Sequence, residues 1–586
     1  MLCCCKRCFG AVLVLLALLA IGSVVAQAES ICEVHSVPDH VIVSTVGYIT
    51  NVDATSSYVN FDLEDEFCQV HIYWNFPGAY PAWLRAGTYV RVSGEYWISH
   101  PKHWWEPEIV ASGVTPTELP PELSHSAHVP APWTIVPWGA AGEVAGSCYQ
   151  VTTDDSCILI DCGSYVNTDD MPVSERSEME DADPFPFTAS SIDALIITHA
   201  HDDHVGRLHY LVEQGFRGSI YMTEATSLLY LAKLDDTVEY SSIDTANHDV
   251  VKATIRDSIR TYSYGVEFLV AEGMSAVFVD AGHVPGSASL ILSFEAPNGD
   301  QTITFSGDIG SGHHPFLNPP DLESLSQTST STLIVESTYG AAAPREYPED
   351  LYKEFFRAVG EAHQDGKLIV VPAFALDRTQ RVLTALLQGV REGRLPSDLR
   401  IGVGGKSSCY LTQTYMDIQL DPILCTKYFS DWYCASDPFT GGEWEFIRQS
   451  CTDSKEEETA DPWEYDVIVT PSGTGSSSYA KTLVDRFWED PNVVFVKVGW
   501  APPWTPMGQG DDGGQIISLH DVFSAHADIN GLLDYVMAFP NLEKIIITHG
   551  DDGIGAREGL AETIRNALPD VDVILPQYGE EISILD

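Results

Sequence analysis

Positive charge is scarce in this sequence: 31 lysines and arginines face 84 aspartates and glutamates, a formal net charge of −53 over 586 residues. That balance excludes a broad basic face, the feature that usually tracks a nucleic-acid backbone by neutralising phosphates. A uniform negative field of this size also strains a compact chain by self-repulsion unless salt screens it, which points to a saline environment. Beyond residue 26 there is no apolar run long enough for a bilayer core of about 30 Å. Beyond residue 28 no two cysteines stand in a CxxC pair, which disfavours a zinc site built from cysteine alone. Disorder is excluded as well, because 44% hydrophobic residues supply material for several ordinary cores.

The one long apolar run is at the start. Met1-Leu-Cys-Cys-Cys-Lys6-Arg7 leads into an apolar stretch from Ala11 to Ala26 and then Ala26-Gln27-Ala28, the layout of a secretory signal peptide with a small-residue cleavage site. The expectation is a secreted chain whose residues 1–28 are cut off after Ala28; an uncleaved anchor is the alternative, although the run is short for one. Cleavage would take Lys6 and Arg7 and no acidic residue, making the charge −55. Nine cysteines would remain: Cys32, Cys68, Cys148, Cys157, Cys162, Cys409, Cys425, Cys434 and Cys451. An exported chain can keep disulfides, and pairing within the group from Cys409 to Cys451 is expected, with the odd count implying at least one free thiol or an external partner.

Residues 31–111 alternate like a small β-barrel, with strands expected at Val41–Val52, Tyr58–Leu63, Cys68–Trp74, Tyr89–Trp97 and Glu108–Ala111. The pattern Val46-Gly47-Tyr-Ile-Thr with Arg85-Ala-Gly87-Thr-Tyr-Val-Arg-Val-Ser-Gly94 is similar to an OB-fold, which implies single-stranded nucleic acid or oligosaccharide as a partner. Its aromatics Tyr73, Trp74, Trp83, Tyr96, Trp97, Trp104 and Trp105 are stacking candidates or barrel filling. The acidic Asp62, Glu64, Asp65 and Glu66 would repel a phosphate backbone. A linker is expected over 112–132.

The chemistry is concentrated in Leu195-Ile-Ile-Thr-His199-Ala-His201-Asp-Asp203-His204-Val-Gly206-Arg-Leu208. A lone histidine pair at a strand end is ordinarily satisfied by carbonyls, but three imidazoles and a carboxylate at this spacing suit a cation. The apolar run before them reads as a buried strand and the one after as a helix, so the ligands stand at a strand's carboxyl end, where α/β proteins place their chemistry. Further single residues stand at predicted strand ends along the chain: Asp161 in Ile160-Asp161-Cys162-Gly163, His283 in Ala281-Gly282-His283-Val-Pro-Gly286, and Asp308 in Ser306-Gly307-Asp308-Ile309-Gly310. After these come Glu336 in Val335-Glu336-Ser337-Thr338-Tyr339-Gly340, His526 in Phe523-Ser524-Ala525-His526-Ala527-Asp528, and His549 in Thr548-His549-Gly550-Asp551.

In this order the motifs resemble those of the metallo-β-lactamase fold, in its β-CASP branch of RNase J and the cleavage and polyadenylation nuclease. The resemblance runs from about Ile135 to Asp586. It implies an αββα sandwich split into 133–346 and 515–586, the latter of RNA-metabolising type, with an inserted α/β cap at 347–514. It also implies two zinc ions, with manganese or iron as alternatives for the same donors. One metal takes His199, His201 and His283, the other takes Asp203, His204 and His549, and Asp308 bridges them. Asp161 orients a ligand from behind, Asp203 aligns an attacking hydroxide, and His526 paired with Glu336 serves as general acid.

The activity so implied is phosphodiester hydrolysis of nucleic acid, a partner in tension with the global charge, with RNA favoured over DNA by the RNA-metabolising C-terminal block and single strands favoured by the OB-like module. Two alternatives stay open: a hydrolase of another ester or phosphodiester on the same fold, and an inactive nucleic-acid binder. The cap departs from the family pattern in two places. Val403-Gly404-Gly405-Lys406 stands where an Asp-Ser-Pro-like segment is expected, and Asp377 stands where a glycine is usual. Pro471-Ser-Gly473-Thr-Gly475-Ser is either a phosphate-approaching loop or simply a flexible one. His313 and His314 have no counterpart in the pattern and are expected at the rim.

Overall fold

The computed structural model describes strand backbone at 25–27, 41–54, 59–64, 69–74, 89–97 and 108–116. From there it describes residues 133–584 apart from 155, 166–184, 240, 244, 296–300, 349, 437, 440–442, 452–460 and 510–515. Nearly all of the leader, most of the linker and the aromatic and acidic side chains of the first module lie outside the described residues. The chain divides into two compact units, Met1–Val129 and Pro130–Asp586.

In the first unit the strand Val41–Ala54 pairs antiparallel with both Val59–Glu64 and Tyr89–Trp97. Val59–Glu64 continues to Gln69–Trp74, which runs parallel to Glu108–Pro116, and that strand returns antiparallel to Tyr89–Trp97. The pairing circuit of these five strands therefore closes on itself, and Val25–Gln27 adds to it on one side, parallel to Ile42, Val43 and Ser44. The last strand continues five residues into the expected linker, because Val90 finds its partner at Pro116.

The second unit is built on two seven-stranded sheets. Apolar residues of the two facing sheets form one core: Ile135, Val151, Ile158, Ile160 and Ile196 on one side meet Phe278, Leu290, Leu292, Phe305 and Ile334 on the other. Each sheet is covered outside by helices. Leu159, Leu195 and Ile220 pack under Leu211, Tyr230, Leu234 and Ile255, while Leu333, Ile545 and Ile547 pack under Leu532, Tyr535, Leu560 and Ile564. Burial of both faces explains why Cys157–Ile160, Ala194–Ile196 and Thr332–Val335 read as unbroken apolar runs rather than alternating ones. This is the αββα layering expected from the motifs.

The cap is a six-stranded, wholly parallel sheet in the order Glu443–Phe446, Arg400–Val403, Val467–Thr470, Leu368–Pro372, Val493–Lys497, Ile516–Ser518. Its sheet runs past residue 514, since Phe495 to Lys497 carry Ile516 to Ser518 as an edge strand. The helices Lys353–Gln364, Arg378–Arg391 and Lys406–Leu420 supply its main apolar cover. Two disulfides, Cys409–Cys451 and Cys425–Cys434, lie in this cap. Cys148 and Cys162 are buried in the core and Cys157 packs against it half-buried, with none of the three in a disulfide among the described residues.

Two measurable properties follow from this build. At 0.1 M salt the screening length is about 10 Å and at 1 M about 3 Å, so the unfolding temperature should rise steadily from 0.1 M to 2 M KCl; a flat or falling profile would show that the charge of −53 is not limiting. His209, in the helix Leu208–Glu213, is buried, its Nδ1 without a hydrogen-bond partner among the described residues, and burial pushes its pKa down to about 3. The folded state keeps this ring neutral while the unfolded chain takes a proton below about 6.5. Its contribution is therefore complete above pH 6.5 and lost as pH falls toward 3, with a limiting slope of about 1.4 kcal/mol per pH unit. Replacing it in His209→Gln should flatten the stability profile in that window, read from urea midpoints at pH 4.5 and 7; parallel profiles for both proteins would contradict this.

Candidate metal centre

The strand Ala194–Ile196 ends below the site, and the short helix Asp202–Val205 starts immediately after His201. The turn can be this tight because Gly163 lets the neighbouring loop approach: a Cβ there would stand 1.7 Å from the Asp203 carbonyl oxygen. Asp161, at φ 62°, accepts hydrogen bonds from Thr198 N at 2.7 Å and Thr198 Oγ1 at 2.8 Å. Its Oδ2 also lies 2.7 Å from His204 Nδ1, which turns His204 Nε2 toward the centre.

Around Asp308 the side chains fall into two sets. His199, His201 and His283 form one group with it and Asp203, His204 and His549 another, each with one ligand atom per residue within 4.8 Å of the rest. The carboxylate is divided between them. Its Oδ2 is 3.4 Å from His199 Nε2 and 3.5 Å from His283 Nε2, and its Oδ1 is 3.1 Å from His204 Nε2 and 3.5 Å from His549 Nε2. Asp203 Oδ2 closes the second set at 3.6 Å from His549 Nε2. In the first, His201 presents Nδ1, 3.1 Å from His199 Nε2 and 3.2 Å from His283 Nε2.

The donor set fits a divalent metal. With Nδ1 of His204 donating to Asp161, its Nε2 lone pair faces Asp308 Oδ1 and, at 3.2 Å, His549 Nε2; acceptors so close are reconciled only by a proton or a cation. Asp308 Oδ1 is buried without a hydrogen-bond partner among the described residues. Burial holds the imidazoles of His199 and His283 well below the ordinary histidine pKa, in the neutral form a metal needs. At His204 burial acts the same way, but the Asp308 and Asp161 carboxylates outweigh it and hold the ring well above. Burial would raise Asp308, yet the surrounding His549, His204 and His199 keep it well below the carboxylate range.

His526 stands beside this cluster, its Nδ1 3.0 Å from Glu336 Oε1 and its Nε2 3.9 Å from Asp308 Oδ2. Glu336 also accepts from Ile309 N at 2.7 Å and Thr338 N at 3.1 Å. Its oxygens are thus engaged in holding His526 and the strand ends, which leaves it poorly placed as a ligand.

All ten residues singled out in the sequence, from Asp161 to His549, come together here. Others had no readable signal. Thr338 Oγ1 lies 3.1 Å from His549 Nδ1 and Thr198 serves Asp161, contacts across 211 and 37 residues of chain that no local pattern announces. His314 corrects an expectation: it is buried rather than at the rim, with Nε2 2.9 Å from the Ser524 carbonyl and Nδ1 3.2 Å from Tyr352 Oη, because Tyr352 at the start of the first cap helix folds over it. His313 stacks on Tyr347, ring centroids 3.5 Å apart.

Residues 141–353 match the metallo-β-lactamase superfamily, and residues 517–576 match the Zn-dependent metallo-hydrolase RNA specificity domain. The second match contains both His526 and His549. A ribonuclease of Thermus thermophilus is 28% identical over 77% of this chain and 100% of its own length. An RNase J-like protein of Methanocaldococcus jannaschii is 26% identical over 70% of this chain and 91% of its own. A transcription termination factor of Methanosarcina mazei is 27% identical over 71% of this chain and 66% of its own.

Proposed function

We propose, for a chain that belongs to the metallo-β-lactamase superfamily and whose relatives are β-CASP nucleases, that it is a two-metal ribonuclease. Family and RNA-specificity domain make it a metal-dependent hydrolase of nucleic-acid phosphodiesters. The finer reading is two zinc ions, single-stranded RNA, and action outside the cytoplasm. The observation that carries it is the divided carboxylate of Asp308, one oxygen facing each set of imidazoles. Seven ligands exceed one tetrahedral site.

Metals so held would neutralise phosphate charge and acidify a water for attack. The chain's own residues do the rest. Asp203 orients the nucleophile, Asp161 and Thr338 fix the far nitrogens of His204 and His549, and His526, aligned by Glu336, delivers a proton to the leaving oxygen. Beside His526 stands Tyr339, ring centroids 5.9 Å apart, with the Arg345 guanidinium 3.9 Å over its face. Arg378 donates to the Val498 carbonyl, and the Gly499 backbone lies against it, followed by the exposed Trp500. These arginines supply local positive charge in an acidic chain, and an exposed aromatic beside them suits an unpaired base.

The closed strand circuit of the first unit supports reading 31–111 as an OB-like substrate-binding module. The leader pattern and the cap disulfides support export. The charge of −53 favours one rival reading, hydrolysis of a different exported ester. The test is the purified mature protein against labelled single- and double-stranded RNA and DNA, from 0.1 to 2 M salt, with and without chelator, alongside metal content. Chelator-sensitive cleavage of single-stranded RNA with two metals per chain is expected. Turnover of a nitrophenyl ester but of no nucleic acid would establish the rival instead.

A further inference from the structure

Asp377, the residue standing where a glycine is usual, has φ 71° and ψ −53°, and Arg378 N donates to the Leu376 carbonyl at 2.9 Å around it. This is the γ-turn with positive φ, a rare and strained conformation. Glycine would adopt it at little cost, so an aspartate there must be held by what its side chain does. The carboxylate is buried, ion-paired with Arg381 one helical turn on, and accepts from Tyr415 Oη at 3.1 Å. Arg381, buried as well, donates from Nη2 to the backbone carbonyl of His283 at 2.7 Å.

His283 is the member of its set with most need of such support. His199 Nδ1 has Thr198 Oγ1 at 3.2 Å, as His204 and His549 of the other set have Asp161 and Thr338 at their far nitrogens, whereas His283 Nδ1 is buried with no hydrogen-bond partner among the described residues. Its ring direction therefore depends on its backbone, which Ser287 Oγ fixes from within the loop by accepting from His283 N at 3.0 Å. Arg381 fixes it from the cap.

We propose that Asp377 and Arg381 are a positioning pair: the strained turn in the cap holds the guanidinium that holds His283, so the cap sets the affinity of the His199, His201 and His283 site. The inference rests on the two-metal reading above. Partners that orient ligands from outside typically contribute 10- to 100-fold in metal affinity, and an effect of about that size is expected at one site only.

The experiment measures zinc affinity by chelator competition on the full mature chain. Asp377→Gly with Arg381→Gln removes both charges together and relieves the turn. It should weaken one of two zinc ions by about 10- to 100-fold and leave the other near wild type. The fall in kcat should be restored by excess zinc, with KM little changed. Tyr415→Phe, which touches Asp377 but not the link to His283, should keep both affinities. Wild-type affinity at both sites in a folded double variant overturns the proposal, as does equal weakening of both sites, which marks a merely structural pair. Should the double variant not fold, Arg381→Lys keeps the charge without the two-pronged reach. It should then show the same one-site weakening at smaller amplitude, and its failure to do so overturns the proposal equally. A wild-type chain binding no zinc would instead overturn the functional reading itself.

Discussion

Asp308→Ala is expected to abolish phosphodiester hydrolysis and to release both metals, while the fold survives. Among the described residues Asp308 alone belongs to both ligand sets, so its loss cannot be compensated from either side. A metal lowers the pKa of a bound water from about 15.7 to about 7, so losing the metals should cost on the order of 10⁴-fold or more in turnover. Asp308→Asn divides the effect: an amide offers one carbonyl oxygen and one NH₂, and only the oxygen can serve a metal. That variant should retain about one metal and a small residue of activity. The measurements are metal content by mass spectrometry, single-turnover cleavage of labelled RNA, and a melting curve for folding. Turnover within tenfold of wild type for the alanine variant would sink the two-metal reading.

The second large effect belongs to His526. With Nδ1 3.0 Å from Glu336 Oε1 and Nε2 3.9 Å from Asp308 Oδ2, the ring has one nitrogen held by a carboxylate and the other turned toward the ligand cluster, the arrangement the proposed general acid needs. General acid catalysis is typically worth about 100- to 10,000-fold. His526→Ala should lose about that much on RNA and keep both metals. On a nitrophenyl phosphodiester, whose leaving group needs no proton, the loss should shrink toward unity. Glu336→Gln should show the same pattern more weakly, since a neutral amide still holds the ring but supports its positive form less. Loss of metal from His526→Ala, or equal impairment on both substrates, would assign the histidine to structure instead.

Legibility in the sequence depended on locality. His199, His201, Asp203 and His204 lie within six residues of one another, and a local spacing that dense has no common packing explanation. Asp161, His283, Asp308, Glu336, His526 and His549 are single residues, each legible only through the family resemblance and its order. Thr198 and Thr338 stand within the same motifs, yet a hydroxyl's partner cannot be read from a strand end. His314, buried rather than at the rim, is illegible for the same reason: nothing local says that Tyr352 covers it. Asp377 was visible as a departure, but its meaning required the γ-turn and the reach of Arg381 to His283.

By itself the sequence determined the layered fold, through unbroken apolar strands that must be covered on both faces, and the metal-binding chemistry, through residue types whose spacing suits a cation. It also determined the acidic character that sets the salt dependence. Only the tertiary structure decided how Asp308 is shared, which nitrogen each histidine presents, and which disulfides form in the cap. It alone showed that Arg381 reaches across from the cap to His283. Those features depend on distances between segments up to several hundred residues apart, and such distances are set by how sheets and helices pack rather than by any local pattern along the chain.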